Sequence, residues 1–186
     1  GRGLEGDDVT LTLDSTLSKQ AYTMLDGRRG AVVLLNYQTG AILAAVSSPS
    51  TSPETVINYQ NIPESALFNR ALLGAYAPGS TFKIVAGSAA LNEGLVTPAT
   101  RFNCGEDTMQ FRGRTVRLPR DSHDHGIMTV QEIMELSSNR GAARLGAVLG
   151  EDRLYRYARA FGFGETSGFA LGGEVSGMLA PVKNWD

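Results

Sequence analysis

Tyr76-Ala77-Pro78-Gly79-Ser80-Thr81-Phe82-Lys83-Ile84 is the stretch on which the reading of this chain turns. Pro78-Gly79 breaks the chain directly before a helical segment, 80–92, that Gly94 closes. Ala86, Gly87, Ser88, Ala89 and Ala90 are all small, which suits a central helix packed tightly on every side. Ser80 and Lys83 lie three residues apart, so on a helix their side chains share a face. Ser80 also falls at the helix N-terminus, where unpaired amides and the helix dipole favour developing negative charge. A serine is a poor nucleophile unless a neighbouring base takes its proton. A lysine is such a base only where burial or nearby positive charge lowers its pKa. The pair therefore permits a Ser-Lys acyl-transfer centre. Spacing alone is weak support, because S-x-x-K is expected about 0.2 times by chance in this composition. The plain alternative is an N-cap serine followed by a surface lysine.

Downstream, Thr129-Val130-Gln131-Glu132 matches a capping box, which predicts a short helix to about Leu136. Further helices are predicted from Arg140 to Leu149 and from Gly150 onward, the latter with Leu154, Tyr157, Ala158 and Phe161 on one face and Gly162 as its stop. Between the first two lies Ser137-Ser138-Asn139, whose hydroxyl and amide can relay a proton and hold a substrate amide. Its plain reading is a polar, capping break, and S-x-N arises about 0.6 times by chance. Residues 95–126 read as an irregular excursion, and the tail from Phe163 to Asp186 as loops plus an extended segment. Upstream, Thr10–Asp14 alternates like a strand, and Ser15 to Asp26 reads as a helix capped by Asp14 or Ser15 and ended by Gly27. Ala31–Asn36 and Ala41–Ser47 flank Tyr37-Gln38-Thr39-Gly40 as a hairpin whose continuous apolar runs predict cover on both faces. Residues 48–78 read as irregular, with a helical turn around Ser65–Leu72.

The whole chain has 186 residues, a formal charge of -2 and 42% hydrophobic residues, a length that suits one domain or part of a larger one. The near-neutral balance argues against a nucleic-acid or anionic-membrane binder, and the apolar content against disorder. Cys104 is the one cysteine, so neither an internal disulfide nor a cysteine-built zinc site is available. The longest apolar runs, Ala31–Leu35 and Ala41–Val46, fall far short of the ~20 residues of a membrane span, so any anchor is expected outside this chain.

The segment 76–84 resembles the nucleophile motif of the penicillin-binding protein transpeptidase domain, and Ser137-Ser138-Asn139 follows at that family's separation. The likeness extends along nearly the whole chain. Val9–Asp14 resembles the opening strand, and Gly30-Ala31-Val32-Val33 with Thr39–Ala44 the first hairpin. His125-Gly126 with Met128-Thr129-Val130 is similar to the lead into the second motif. Phe161-Gly162-Phe163-Gly164, Gly173-Glu174 and Gly177 resemble the stretch after it, and Gly3-Leu4-Glu5 an element that usually lies further upstream.

The resemblance implies an α+β fold of the penicillin-binding protein and serine β-lactamase type: a helical lobe plus the first hairpin of a sheet. It implies a D,D-transpeptidase of the class B kind that cross-links peptidoglycan stem peptides and is acylated by β-lactams. In the roles so implied, Ser80 is the nucleophile, Lys83 its base and Ser137 a proton shuttle. Asn139 binds the substrate amide, and the Ser80 amide is one oxyanion donor. No metal or cofactor is implied. The partners are stem peptides, β-lactams and the cell-wall synthesis machinery, on the extracytoplasmic side of the bacterial membrane. A D,D-carboxypeptidase, a β-lactamase or a non-catalytic binding fragment stays open beside it. The family's third motif, K-T-G or K-S-G, has no match, since the lysines are Lys19, Lys83 and Lys183. Residues 1–186 are therefore expected to form a partial transpeptidase domain, inactive alone, with a missing C-terminal part of the domain as partner.

Other features point to bland readings. Asp121, His123, Asp124 and His125 can be read as metal ligands, but histidines at i and i+2 do not share a helical face, and a solvated or turn-forming loop is the expectation. Arg112, Arg114, Arg117 and Arg120 read as a solvated face, Trp185 as a packing residue and Cys104 as a bystander. Gly162, Gly164 and Gly168 do not make a dinucleotide fingerprint.

Overall fold

The computed structural model describes residues 6–56, 59–169 and 173–185, so the Gly3-Leu4-Glu5 resemblance lies outside the described residues. The chain divides into two compact units: residues up to Ala75 with a short return of the tail around 173–175, and Tyr76–Phe169 with Ser176 onward.

In the first unit, helix α1 (Ser15–Leu25) starts where the Asp14 carboxylate accepts from Leu17 N and ends at Asp26, whose φ of 48° is left-handed. Strands β1 (Gly30–Leu35) and β2 (Ile42–Ser48) pair antiparallel from Gly30↔Ser48 to Leu34↔Ala44. Asn36 shapes their turn, its Oδ1 accepting from the amides of Gln38 and Thr39. Ala44 and Val46 alternate toward α1, where they meet Ala21 and Leu25, with Val32 of β1 packed beside them. Single helical turns follow at α2 (Pro53–Val56), α3 (Glu64–Leu67) and α4 (Arg70–Leu73), the last two matching the turn expected around Ser65–Leu72. Ser47, on the opposite face of β2, accepts from Arg70 N, so β2 is covered on both sides as its apolar run predicts. The far half of β1 departs from that expectation: Val33, Leu34 and Leu35 are exposed. Thr10–Asp14 is not a strand and bends at Thr12. It touches the hairpin through Asp14 N to Leu43 O and Thr12 Oγ1 to Ile42 O, while Val9, Leu11 and Leu13 stay exposed. Alternation sets a face but supplies no partner edge.

The second unit is built on helix α5 (Lys83–Asn92), with Val85, Ala86, Gly87, Ala89 and Ala90 buried. Strand β3 (Arg101–Asn103) pairs with β6 (Ile127–Thr129), and β4 (Thr108–Phe111) with β5 (Arg114–Arg117). This corrects the irregular reading of 95–126. Arg112 and Gly113, at φ 53° and 74°, make the two-residue turn with left-handed backbone that matches the twist of a hairpin. Three helices complete the unit: α6 (Val130–Glu135), α7 (Asn139–Leu149) and α8 (Glu151–Ala160). The Thr129–Glu132 capping box forms at the start of α6, and Glu93 at the end of α5 accepts from Arg153, Arg156 and Tyr157 of α8. Ala90, Val96, Cys104, Met128, Val130, Ile133 and Leu145 form the core. Trp185 packs edge-on against Tyr155, as a packing residue should.

Gly141 lets α7 start close against α6. A Cβ there would lie 2.5–2.8 Å from three carbons of Ile133, which is fully buried and has no room to yield. Gly146, on the same helix, meets nothing within 4 Å. Gly141→Ala should therefore cost about 1–3 kcal/mol by overpacking. Gly146→Ala should gain about 0.8–1.0 kcal/mol in helix propensity. Urea unfolding of the two variants reads this opposition of sign.

Candidate active site

Gly79–Phe82 is a turn of 3-10 helix leading into α5, opened by Gly79 at φ 58°. The α-helical start expected at Ser80 thus moves to Lys83. The change strengthens the pairing, because residues i and i+3 eclipse on a 3-10 turn. Lys83 Nζ donates to Ser80 Oγ at 3.2 Å. The same nitrogen donates to Ser137 Oγ at 2.9 Å, Ser137 O at 2.5 Å and Asn139 Oδ1 at 2.7 Å. All four residues singled out in the sequence meet at one amine. Ser80 and Ser137 are exposed, while Lys83 and Asn139 are half-buried.

Burial lowers the Lys83 pKa from its ordinary value, with the Asp121 charge pulling the other way. A lysine so placed reaches its neutral, proton-accepting form more readily than one in water. A nucleophile with a base in reach, and a second hydroxyl in reach of that base, can pass a proton from Ser80 through Lys83 toward a leaving group near Ser137.

The turn between α6 and α7 carries two of these residues. Ser137 has φ 55°, a left-handed conformation that costs a side-chain-bearing residue roughly 1–2 kcal/mol and must be held by its surroundings. Ser138 is 1% exposed and caps α7, its Oγ accepting from Gly141 N and donating to Asp121 Oδ2 at 2.7 Å. The Asp121 carboxylate also accepts from the amides of Asn139 and Arg140, and Asn139 Nδ2 donates to Arg120 O at 2.7 Å. Asp121 is thus a half-buried brace within a turn-forming loop, and Arg120, whose side chain is exposed like those of Arg112, Arg114 and Arg117, adds its backbone carbonyl. No local pattern announces this, because its partners lie 17 to 19 residues away. Burial pushes the Asp121 carboxyl up, but the Ser138 hydroxyl, the two backbone amides and the His125 charge together hold it below the usual carboxylate value. Among the described residues no group of three or more His, Cys, Asp or Glu side chains is arranged to hold a metal ion. Cys104 is fully buried, and burial pushes its thiol pKa up, away from the reactive thiolate.

The penicillin binding protein transpeptidase domain family matches residues 30–185. The chain belongs to that family. It is 36% identical to peptidoglycan D,D-transpeptidase MrdA of Acinetobacter baumannii, over 97% of this chain and 28% of the relative. It is 31% identical to penicillin-binding protein PbpB of Mycobacterium tuberculosis, over 99% of this chain and 28% of the relative. Among solved structures, PBP2 of Pseudomonas aeruginosa in complex with WCK 5153 superposes with a TM-score of 0.80 at 30% identity, covering 93% of this chain and 41% of that one. PBP3 of Mycobacterium tuberculosis complexed with ampicillin gives a TM-score of 0.79, covering 94% of this chain and 39% of that one. The mixed helix-and-sheet fold is therefore that of the penicillin-binding protein transpeptidases. The chain spans less than a third of the length of these curated relatives.

Ser138 gives a direct test of the brace. Ser138→Ala removes an N-cap and a donor to a half-buried carboxylate, for an expected loss of about 1–3 kcal/mol. Asp121 is held at a lowered pKa in the folded state, so the stability it contributes is present above the ordinary carboxylate pKa and is lost as pH falls through the folded value. The deficit of Ser138→Ala in urea unfolding should accordingly be largest near neutral pH and shrink in acid.

Proposed function

We propose that this chain supplies the nucleophile-bearing part of a serine D,D-transpeptidase domain acting on peptidoglycan stem peptides outside the cytoplasmic membrane. The reading rests above all on one observation: Lys83 Nζ lies within hydrogen-bond reach of Ser80 Oγ, Ser137 Oγ and Asn139 Oδ1. In this reaction Ser80 loses its proton to the neutral Lys83 amine and its Oγ attacks the carbonyl carbon of the penultimate D-Ala. The C–N bond to the terminal D-Ala breaks, and Ser137 passes a proton from Lys83 to the departing amine. The amine of a neighbouring stem then attacks the acyl carbon, the ester bond to Ser80 Oγ breaks, and the proton lost by that amine returns through Lys83 to Ser80 as the cross-link forms. Asn139 holds a substrate backbone amide, and the Ser80 amide is one of the two donors for the developing oxyanion. A β-lactam enters the same first step and remains attached. Family membership and the names of the relatives support the class of reaction.

Residues 1–186 on this reading form a partial domain whose third, lysine-containing motif and remaining strands come from further chain. Losing an oxyanion donor typically costs ~10²–10³ in rate, so the chain alone should form little or no adduct. The full-length protein, incubated with labelled penicillin and followed by intact mass, should gain one persistent adduct that Ser80→Ala abolishes. Rapid turnover of the penicillin would assign a β-lactamase instead, and an adduct that survives Ser80→Ala would refute the nucleophile.

The pH dependence follows from Lys83. Burial lowers its pKa, so the neutral base accumulates at lower pH than in a free lysine. The acylation rate constant of the full-length protein should rise with pH and level off below the ordinary lysine value of ~10.4. A rate still climbing at that value would remove Lys83 as the base.

A further inference from the structure

We propose that Asp121 is a positioning residue of this site: by bracing the backbone of the 137–140 turn, it sets where Ser137 and Asn139 meet Lys83. The inference rests on the acyl-transfer reading above and goes beyond it, since Asp121 touches none of the groups assigned a chemical role there through its own side chain except the Asn139 amide. One carboxylate oxygen takes the Ser138 hydroxyl, and the other takes the amides of Asn139 and Arg140. These contacts fall immediately after Ser137, the residue held at φ 55°. That backbone conformation brings both Ser137 Oγ and Ser137 O to Lys83 Nζ. The neighbouring Arg120 carbonyl takes Asn139 Nδ2, which leaves Asn139 Oδ1 facing the same amine. Two consecutive residues of one loop thus fix three oxygens around the base. An N-cap alone needs much less: Ser138 Oγ already caps α7 through Gly141 N.

Displacing reacting groups by about 1 Å can cost on the order of 10²-fold in rate without weakening binding. The test uses the full-length protein with a β-lactam, separating the dissociation constant of the first complex from the acylation rate constant of the folded fraction. Asp121→Ala, which removes the brace, and Asp121→Glu, which keeps the charge but shifts the carboxylate by a methylene, should each lower the rate constant about 10- to 100-fold while the dissociation constant changes less than about threefold. Asp121→Asn should stay within about fivefold of the parent, because its oxygen can accept from both amides and its NH2 can donate to Ser138 Oγ. Should Asp121→Ala not fold, Asp121→Glu against Asp121→Asn carries the comparison. Ala and Glu variants acylating at the parental rate, or an Asn variant as slow as the Glu variant, would overturn the proposal. Persistence of the adduct in Ser80→Ala would instead sink the acyl-transfer reading, so the two failures are distinct.

Discussion

A single amine surrounded by four oxygens is the constraint around which the second unit is organised. An ammonium has three N–H donors, and Lys83 Nζ faces Ser80 Oγ, Ser137 Oγ, Ser137 O and Asn139 Oδ1. The oxygens therefore compete, and the longest of the four contacts is the one to Ser80. The backbone carbonyl and the amide oxygen can only accept, so they hold two of the donors. Either hydroxyl can reverse its role and donate to the single lone pair of a neutral amine. The same shell can then serve both protonation states of the lysine with no change beyond the rotation of hydroxyl hydrogens. That property is what a base that gains and loses a proton in one turnover requires.

Such a shell needs backbone held to a fraction of an ångström, and the packing beneath it supplies that. Small residues along α5 let its neighbours approach closely: a Cβ at Gly87 would meet Met134 Sδ of α6 at 2.9 Å. Gly141 admits Ile133 in the same way, and Ile133 in turn belongs to the buried cluster with Val130, Met128 and Leu145. The short β3–β6 pair places Cys104 and Met128 in that cluster and carries the chain directly into α6. The turn that bears Ser137 is consequently anchored from below by apolar contact and from the side by Asp121.

What could be read in the sequence divides along a physical line. Elements fixed by local chemistry were legible: the α1 cap at Asp14, the Thr129–Glu132 box, the β1–β2 hairpin and the glycine stop after α8. The four residues that meet at the amine were legible through the family resemblance, since S-x-x-K and S-x-N by their spacing alone arise readily by chance. Features that depend on distant partners were not. The strands β4 and β5 are polar and four residues long, so neither shows a buried face, and only the Arg112-Gly113 turn marks them. β3 and β6 are three residues each and pair across a long excursion. Asp121 carries no local signal, because its partners, the Ser138 hydroxyl and the amides of Asn139 and Arg140, lie 17 to 19 residues away.

The placement of a carboxylate near a base that must give up its proton looks self-defeating, since the Asp121 charge raises the proton affinity of Lys83. The resolution lies in where that charge is spent. Asp121 accepts from a hydroxyl and from two amides at the start of an 11-residue helix, whose unpaired N–H groups carry a positive dipole end. The net shift of Lys83 is downward because desolvation outweighs the attraction of Asp121. An uncharged brace would relieve the opposition but would give the α7 amides a weaker acceptor. The anion beside the base is thus the acceptor for the first amides of α7, and the turn that leads into that helix is the one that carries Ser137 to the amine.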